Sequence, residues 1–124
     1  MGRPDFRELA RFVIVGCGAT VIHLGVVFAI QANDAFSAIA IHAIAFFCAF
    51  SFSFIGHYYF TFASSKSIRI AVIRFLLVSL IALLLSTAIA GIGQAIGLGR
   101  LASLLVAAFS VPILSYIANK RFVF

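Results

Sequence analysis

Acid is scarce in this chain. Asp5, Glu8 and Asp34 are its three carboxylates among 124 residues, and none lies inside a long apolar run. A carboxylate pair for general acid–base work is therefore missing. So is the intramembrane acid that a proton-coupled exporter of cationic drugs would need. Cysteine is as sparse: Cys17 and Cys48 each fall within an apolar stretch, form no C-x-x-C, and read as small hydrophobic residues. There is no GxxxxGK[ST] loop to cradle a nucleotide phosphate. No nucleophile–base set and no cluster of metal ligands points to an enzyme, a metal centre or a cofactor.

Apolar side chains take the place of charge. Hydrophobic residues make up 65% of the sequence and its mean hydropathy is +1.24, against about 45–50% apolar residues in a soluble domain. A water-soluble fold of this length could not cover so much apolar surface, so part of the solvent must be lipid. Four stretches lack Asp, Glu, Lys and Arg: Phe12–Ile30, Phe36–Phe62, Phe75–Ile96 and Leu101–Ala118. Each approaches or exceeds the roughly 20 residues a helix needs to cross a bilayer. The first run, with Arg7 and Arg11 before it, has the outline of a signal peptide. No clear small-x-small cleavage site follows it, and the sequence reads as a retained span.

The nine Lys and Arg residues sit between these runs rather than on a polar surface, which argues against nucleic acid as a partner. Arg3, Arg7 and Arg11 precede the first run. Lys66, Arg69 and Arg74 lie between the second and third, and Lys120 and Arg121 follow the fourth. Only Arg100 falls in an alternate connection. By the positive-inside rule, the side with eight of the nine cations is cytoplasmic and both termini are inside.

The two halves share a pattern. Arg11-Phe12 opens the first and Arg74-Phe75 the second, 63 positions on. SFIGHYYFTF, residues 53–62, is echoed by SYIANKRFVF, residues 115–124, with Tyr58 and Tyr59 replaced by Lys120 and Arg121. An even number of spans per half inserts both halves the same way up. The expected fold is therefore all-α integral membrane: four transmembrane helices as two parallel two-helix repeats, N-in and C-in. It forms a single membrane domain over 1–124, with repeat 1 at about 11–62, a basic cytoplasmic linker at 63–73 and repeat 2 at about 74–124. Small residues recur at four-residue spacing, as Ala45-Ala49-Ser53, Ala82-Ser86-Ala90 and Gly93-Gly97, and mark helix contacts. Pro112 removes a backbone donor from the fourth span and is expected to kink it.

RFVIVGCGATVIHLGVVFAI, the paired F-x-F endings and NKRFVF together resemble the GtrA family of small four-helix bacterial membrane proteins, over nearly the whole chain from Arg11 to Phe124. The resemblance implies movement of a polyprenyl-phosphate-linked sugar across the inner membrane for surface polysaccharide. In that family the second and fourth spans tend to end in Asn, basic residues and an aromatic. Asn119, Lys120, Arg121 and Phe122 match. His57, Tyr58, Tyr59 and Phe60 depart, losing the Asn and both cations. Where the family often has Asp or Asn midway along the first span, this chain has His23.

Such a substrate carries a phosphate, a sugar and a long apolar tail. A bare charge at the bilayer centre costs at least about 2.5–3.5 kcal/mol, so the head needs a polar lane and cations at its mouths. The expected headgroup site is Arg11, Arg74, Asn119, Lys120 and Arg121. Thr20, His23, Ser53, His57 and Ser115 are the expected path, with Arg100 at the outer mouth. Phe60, Phe62, Phe122 and Phe124 are placed at the headgroup boundary. Cations at span ends serve equally as topology anchors, and membrane Ser and Thr also bond their own backbone. His42 is expected to be structural.

The resemblance thus implies translocation of a polyprenyl-phosphate-linked monosaccharide across the bacterial inner membrane. The expected partners are the lipid-linked substrate, membrane lipids and a second copy of the chain, as a dimer or more. The rival reading is a non-transporting scaffold that docks a glycosyltransferase.

Overall fold

The computed structural model describes residues 5–33 and 35–124, without the side chain of Leu104. Arg3 and Asp34, counted among the charges above, lie outside the described residues. Four α-helices form: α1 (Phe6–Ile30), α2 (Ala38–Ile55), α3 (Ile68–Ala95) and α4 (Arg100–Ala118). Among the described residues there is no strand. The helix ending each half runs on into a π-helical turn, Gly56–Thr61 after α2 and Asn119–Val123 after α4. Counted with these turns, all four helices are long and apolar enough to span a bilayer. Only 6–18% of the most apolar window of each is buried within the protein, so lipid must solvate the rest.

The chain divides into two compact units, Met1–Ser64 and Ser65–Phe124, each holding one helical hairpin. In hairpin 1, the Asp5 side chain caps α1 by accepting from the Arg7 amide at 3.1 Å. The α1–α2 turn is set by Asn33 Oδ1, which accepts from the Ala35 amide at 3.0 Å, and the Ser37 hydroxyl then caps α2 through the Ala40 amide at 3.2 Å. The helices approach closely where glycine leaves room. A Cβ on Gly18 would lie 2.8 Å from the Phe52 ring, and one on Gly56 would lie 2.7 Å from Val15 Cγ1.

In hairpin 2, α3 ends in a Schellman motif. Gly97 takes the left-handed conformation at φ 90°, with its amide bonded to the Gln94 carbonyl and the Leu98 amide to that of Gly93. Gly93 and Gly97 therefore do different jobs. A Cβ at Gly93 would lie 2.7 Å from Ser103 Oγ of α4, whereas one at Gly97 meets nothing within 4 Å. Helix α3 begins at Ile68, so Arg69 and Arg74 lie in its first two turns. Pro112 is accommodated inside α4, which remains one assigned helix from Arg100 to Ala118.

Candidate functional site

Each hairpin closes in the same way at its basic end. The π-helical turn widens the hydrogen-bond ladder to five residues, with the Phe62 amide bonded to the His57 carbonyl and the Phe124 amide to that of Asn119, each at 2.9 Å. This leaves later carbonyls without a helical partner. An arginine from the start of the hairpin takes one of them. Arg11 Nη1 donates to the Phe60 carbonyl at 3.3 Å and its guanidinium lies 5.1 Å from the centre of the Phe60 ring. Arg74 Nη1 donates to the Phe122 carbonyl at 3.0 Å, 5.0 Å from the Phe122 ring. Both arginines of the expected headgroup site are thus engaged as clamps on the end of their own hairpin, by a charge-assisted hydrogen bond and a cation–π contact.

Inside the clamp the two hairpins differ. In hairpin 1, His57 is 3% exposed, stacks on Phe12 at 4.5 Å and 18°, and meets Thr61 Oγ1 through Nδ1 at 3.0 Å. The neighbouring Tyr58 is buried against Phe54, and Tyr59 is exposed. This end is filled by its own side chains. In hairpin 2, Asn119 stands 62 positions after His57 and Val123 stands 62 after Thr61. Val123 is fully buried and offers no hydroxyl. Asn119 is 3% exposed, and its Oδ1 has no hydrogen-bond partner among the described residues. An unpaired buried carbonyl of this kind costs about 1–3 kcal/mol unless a ligand or water supplies a donor. Next in sequence, Lys120 Nζ donates to Tyr116 Oη at 3.4 Å and lies over that ring, whereas Arg121 is exposed and its guanidinium bonds to no described residue.

Hairpin 2 also carries a groove of about 160 Å³ with a wholly apolar wall. Val78, Ile81, Ala82 and Leu85 of α3 form one side, and Val111, Leu114, Ser115 and Ala118 of α4 the other. The corresponding positions of hairpin 1 are packed differently. Ile81 corresponds to Gly18 and Leu114 to Phe52, and in hairpin 1 the Phe52 ring lies directly on the Gly18 backbone. Ala118 corresponds to Gly56, which admits Val15. A Gly–Phe pair brings a ring onto a bare backbone, whereas an Ile–Leu pair holds two helices apart at that level. The groove stops at Ser115 and Ala118, and the next residue along α4 is Asn119.

Of the expected path, Thr20 donates to the Gly16 carbonyl of its own helix at 3.1 Å. Ser53 and Ser115 are half-buried, and their hydroxyls bond to no described residue. His23 is half-buried and pairs with His42 across hairpin 1, ring centres 5.9 Å apart. This partnership depends on the register between α1 and α2 and has no signature in the sequence. Arg100 is exposed at the first turn of α4, at the end opposite Arg121. Arg121 stands 21 positions after Arg100, about 30 Å along a helix, which matches the hydrocarbon thickness of a bilayer.

The sequence matches the family described as GtrA/DPMS, transmembrane domain, over residues 11–124. The chain belongs to this family. GtrA/DPMS domains are membrane domains associated with the handling of lipid-linked sugars, and with four spanning helices this member is a multi-pass membrane protein. The match begins at Arg11, the first of the two clamping arginines, and runs to Phe124. No curated protein matches the sequence.

Proposed function

We propose that this GtrA/DPMS protein translocates a polyprenyl-phosphate-linked monosaccharide across the bacterial inner membrane, and that hairpin 2 holds the substrate. The observation that carries this reading is the contrast at the two basic ends. Hairpin 1 is filled and self-bonded, whereas hairpin 2 has the buried Asn119 Oδ1 without a partner among the described residues, an exposed Arg121 two positions on, and an apolar groove whose lining ends at Ala118.

The chemistry suits a lipid with a short anionic head. Arg121 supplies a planar cation able to grip a phosphate through two parallel hydrogen bonds. The groove takes the first apolar units of the tail, and the remainder stays in the bilayer. Arg11 and Arg74 set the hairpin ends and add positive potential. With the basic ends on the cytoplasmic side, loading occurs there and Arg100 meets the phosphate as it leaves. The protein acts as a carrier and not as an enzyme: it lowers the barrier to moving the head through lipid, and net flow follows consumption of the sugar outside.

The test is lipid exchange in liposomes. Purified protein is reconstituted with a labelled polyprenyl-phosphate hexose in both leaflets, and an impermeant reagent reports how fast the inner pool is reached. Fast exchange that falls at least tenfold in Arg121→Ala, with unchanged folding, is the expected result. Exchange no faster than in empty liposomes, from folded protein, overturns the carrier reading and favours a scaffold that docks a glycosyltransferase.

A further inference from the structure

Asn119 invites a more specific assignment than headgroup binding in general. Its Oδ1 is buried and has no partner among the described residues. An amide oxygen carries partial negative charge and only accepts hydrogen bonds, so it repels a phosphate and requires a donor. A hydroxyl is the uncharged donor that an anionic glycolipid brings. Resting on the function proposed above, we infer that Asn119 Oδ1 accepts a hydrogen bond from a sugar hydroxyl of the bound lipid and so distinguishes the sugar-loaded carrier from the bare polyprenyl phosphate.

The comparison within the chain supports this. At the equivalent position in hairpin 1 the polar side chain is satisfied internally, His57 Nδ1 meeting Thr61 Oγ1 at 3.0 Å. Histidine Nδ1 and asparagine Oδ1 are each attached to Cγ, so a threonine at 123 would reach Asn119 as Thr61 reaches His57. Val123 withholds that hydroxyl, and the buried acceptor is left without a partner among the described residues in the hairpin that also has the groove and the exposed Arg121. A site built to hydrogen-bond a substrate hydroxyl rejects the analogue that lacks it, because the buried acceptor is then stranded.

The experiment compares binding of two lipids in phosphatidylcholine nanodiscs, a polyprenyl-phosphate hexose and the same polyprenyl phosphate without sugar. The wild type, Val123→Thr and Asn119→Leu are measured, each with a thermal unfolding midpoint. The expected result is that wild type prefers the hexose lipid by at least tenfold. Val123→Thr, which fills the acceptor from within, loses that preference while its midpoint rises. A merely structural Asn119 would give the same rise in midpoint with the preference intact, and that outcome overturns the inference, as does equal weakening toward both lipids. Asn119→Leu is expected to lose the preference as well; retention of it in folded protein also overturns the assignment. A second arm adds phosphatidylglycerol, whose glycerol head brings hydroxyls without a sugar. The inference predicts less than a twofold change in hexose-lipid affinity. Full displacement would assign the acceptor to ordinary phospholipid and overturn the sugar. If wild type binds neither polyprenyl lipid, the function proposed above fails first, and this inference falls with it.

Discussion

Arg74 reaches across hairpin 2 to the last turn of the chain, donating to the Phe122 carbonyl at 3.0 Å while its guanidinium covers the Phe122 ring at 5.0 Å. Arg11 does the same to Phe60 in hairpin 1. A planar cation with several N–H groups can donate in its plane to the carbonyl while its face covers the ring, a geometry an ammonium does not reproduce. Arg74→Lys keeps the charge but loses this combination, and is expected to cost about 1–2 kcal/mol in hairpin stability. Arg74→Ala should cost no less. Arg11→Lys should cost less than Arg74→Lys, because Arg11 is more exposed and its bond is longer. Thermal unfolding of the detergent-purified variants, ranked against wild type, checks this order; an unchanged midpoint for Arg74→Lys removes the clamp.

Much of this architecture was legible in the sequence. The four spans follow from hydropathy, and both halves of each clamp, the R-F opening and the F-x-F ending, stand out as repeated phrases. Their joining was not legible, because a carbonyl left open by a π-helical turn depends on backbone winding and not on residue type. The candidate site divides in the same way. Tyr58-Tyr59 against Lys120-Arg121 is the visible difference between the halves. The quieter exchange of Thr61 for Val123 decides which end is self-satisfied, and it acquires meaning only once the buried neighbours are known. Gly93 and Gly97 look like one helix-contact motif, yet one makes room for Ser103 and the other turns the chain.

The glycines give a paired prediction. Gly93→Ala places a methyl 2.7 Å from Ser103 Oγ and 3.3 Å from its Cα, in a position where Ser103 is fully buried. Overpacking of this kind costs about 1–3 kcal/mol. Gly91→Ala, two residues away with nothing within 4 Å of the new Cβ, should instead be neutral or gain up to about 1 kcal/mol from reduced chain entropy. A lowered unfolding midpoint for Gly93→Ala and an unchanged or raised one for Gly91→Ala are expected; a gain from both variants would show that helix propensity, and not the α3–α4 contact, governs this segment.

Hairpin 1 offers a mirror of the Val123 experiment. Thr61→Val keeps the shape of a residue that is 4% exposed and removes the hydroxyl that meets His57. The loss is expected to be about 0.5–1.5 kcal/mol, the range of a single hydrogen bond in water or within a membrane protein. Because this end faces its own side chains, lipid exchange should change by less than twofold. Exchange that falls with Thr61→Val, at intact folding, would move part of the substrate site into hairpin 1.

The groove gives the most direct test of why two similar hairpins differ. In hairpin 1, Gly18 admits the Phe52 ring where hairpin 2 has Ile81 and Leu114. The double change Ile81→Gly and Leu114→Phe copies the first packing into the second. The ring should then cover the α3 backbone and fill the groove of about 160 Å³. Side-chain volume moves from one helix to the other, but the new glycine inside α3 weakens that helix, so stability should fall by about 1–2.5 kcal/mol. On the proposed function, lipid-linked sugar exchange in liposomes should fall at least tenfold, because the groove no longer takes the tail. Arg121→Ala should also slow exchange, but through the phosphate, so adding Arg121→Ala to the filled groove should slow it little further. Full exchange in a folded double variant would show that the tail needs no groove in this hairpin, and would leave Asn119 and Arg121 to act on a head anchored by the bilayer alone.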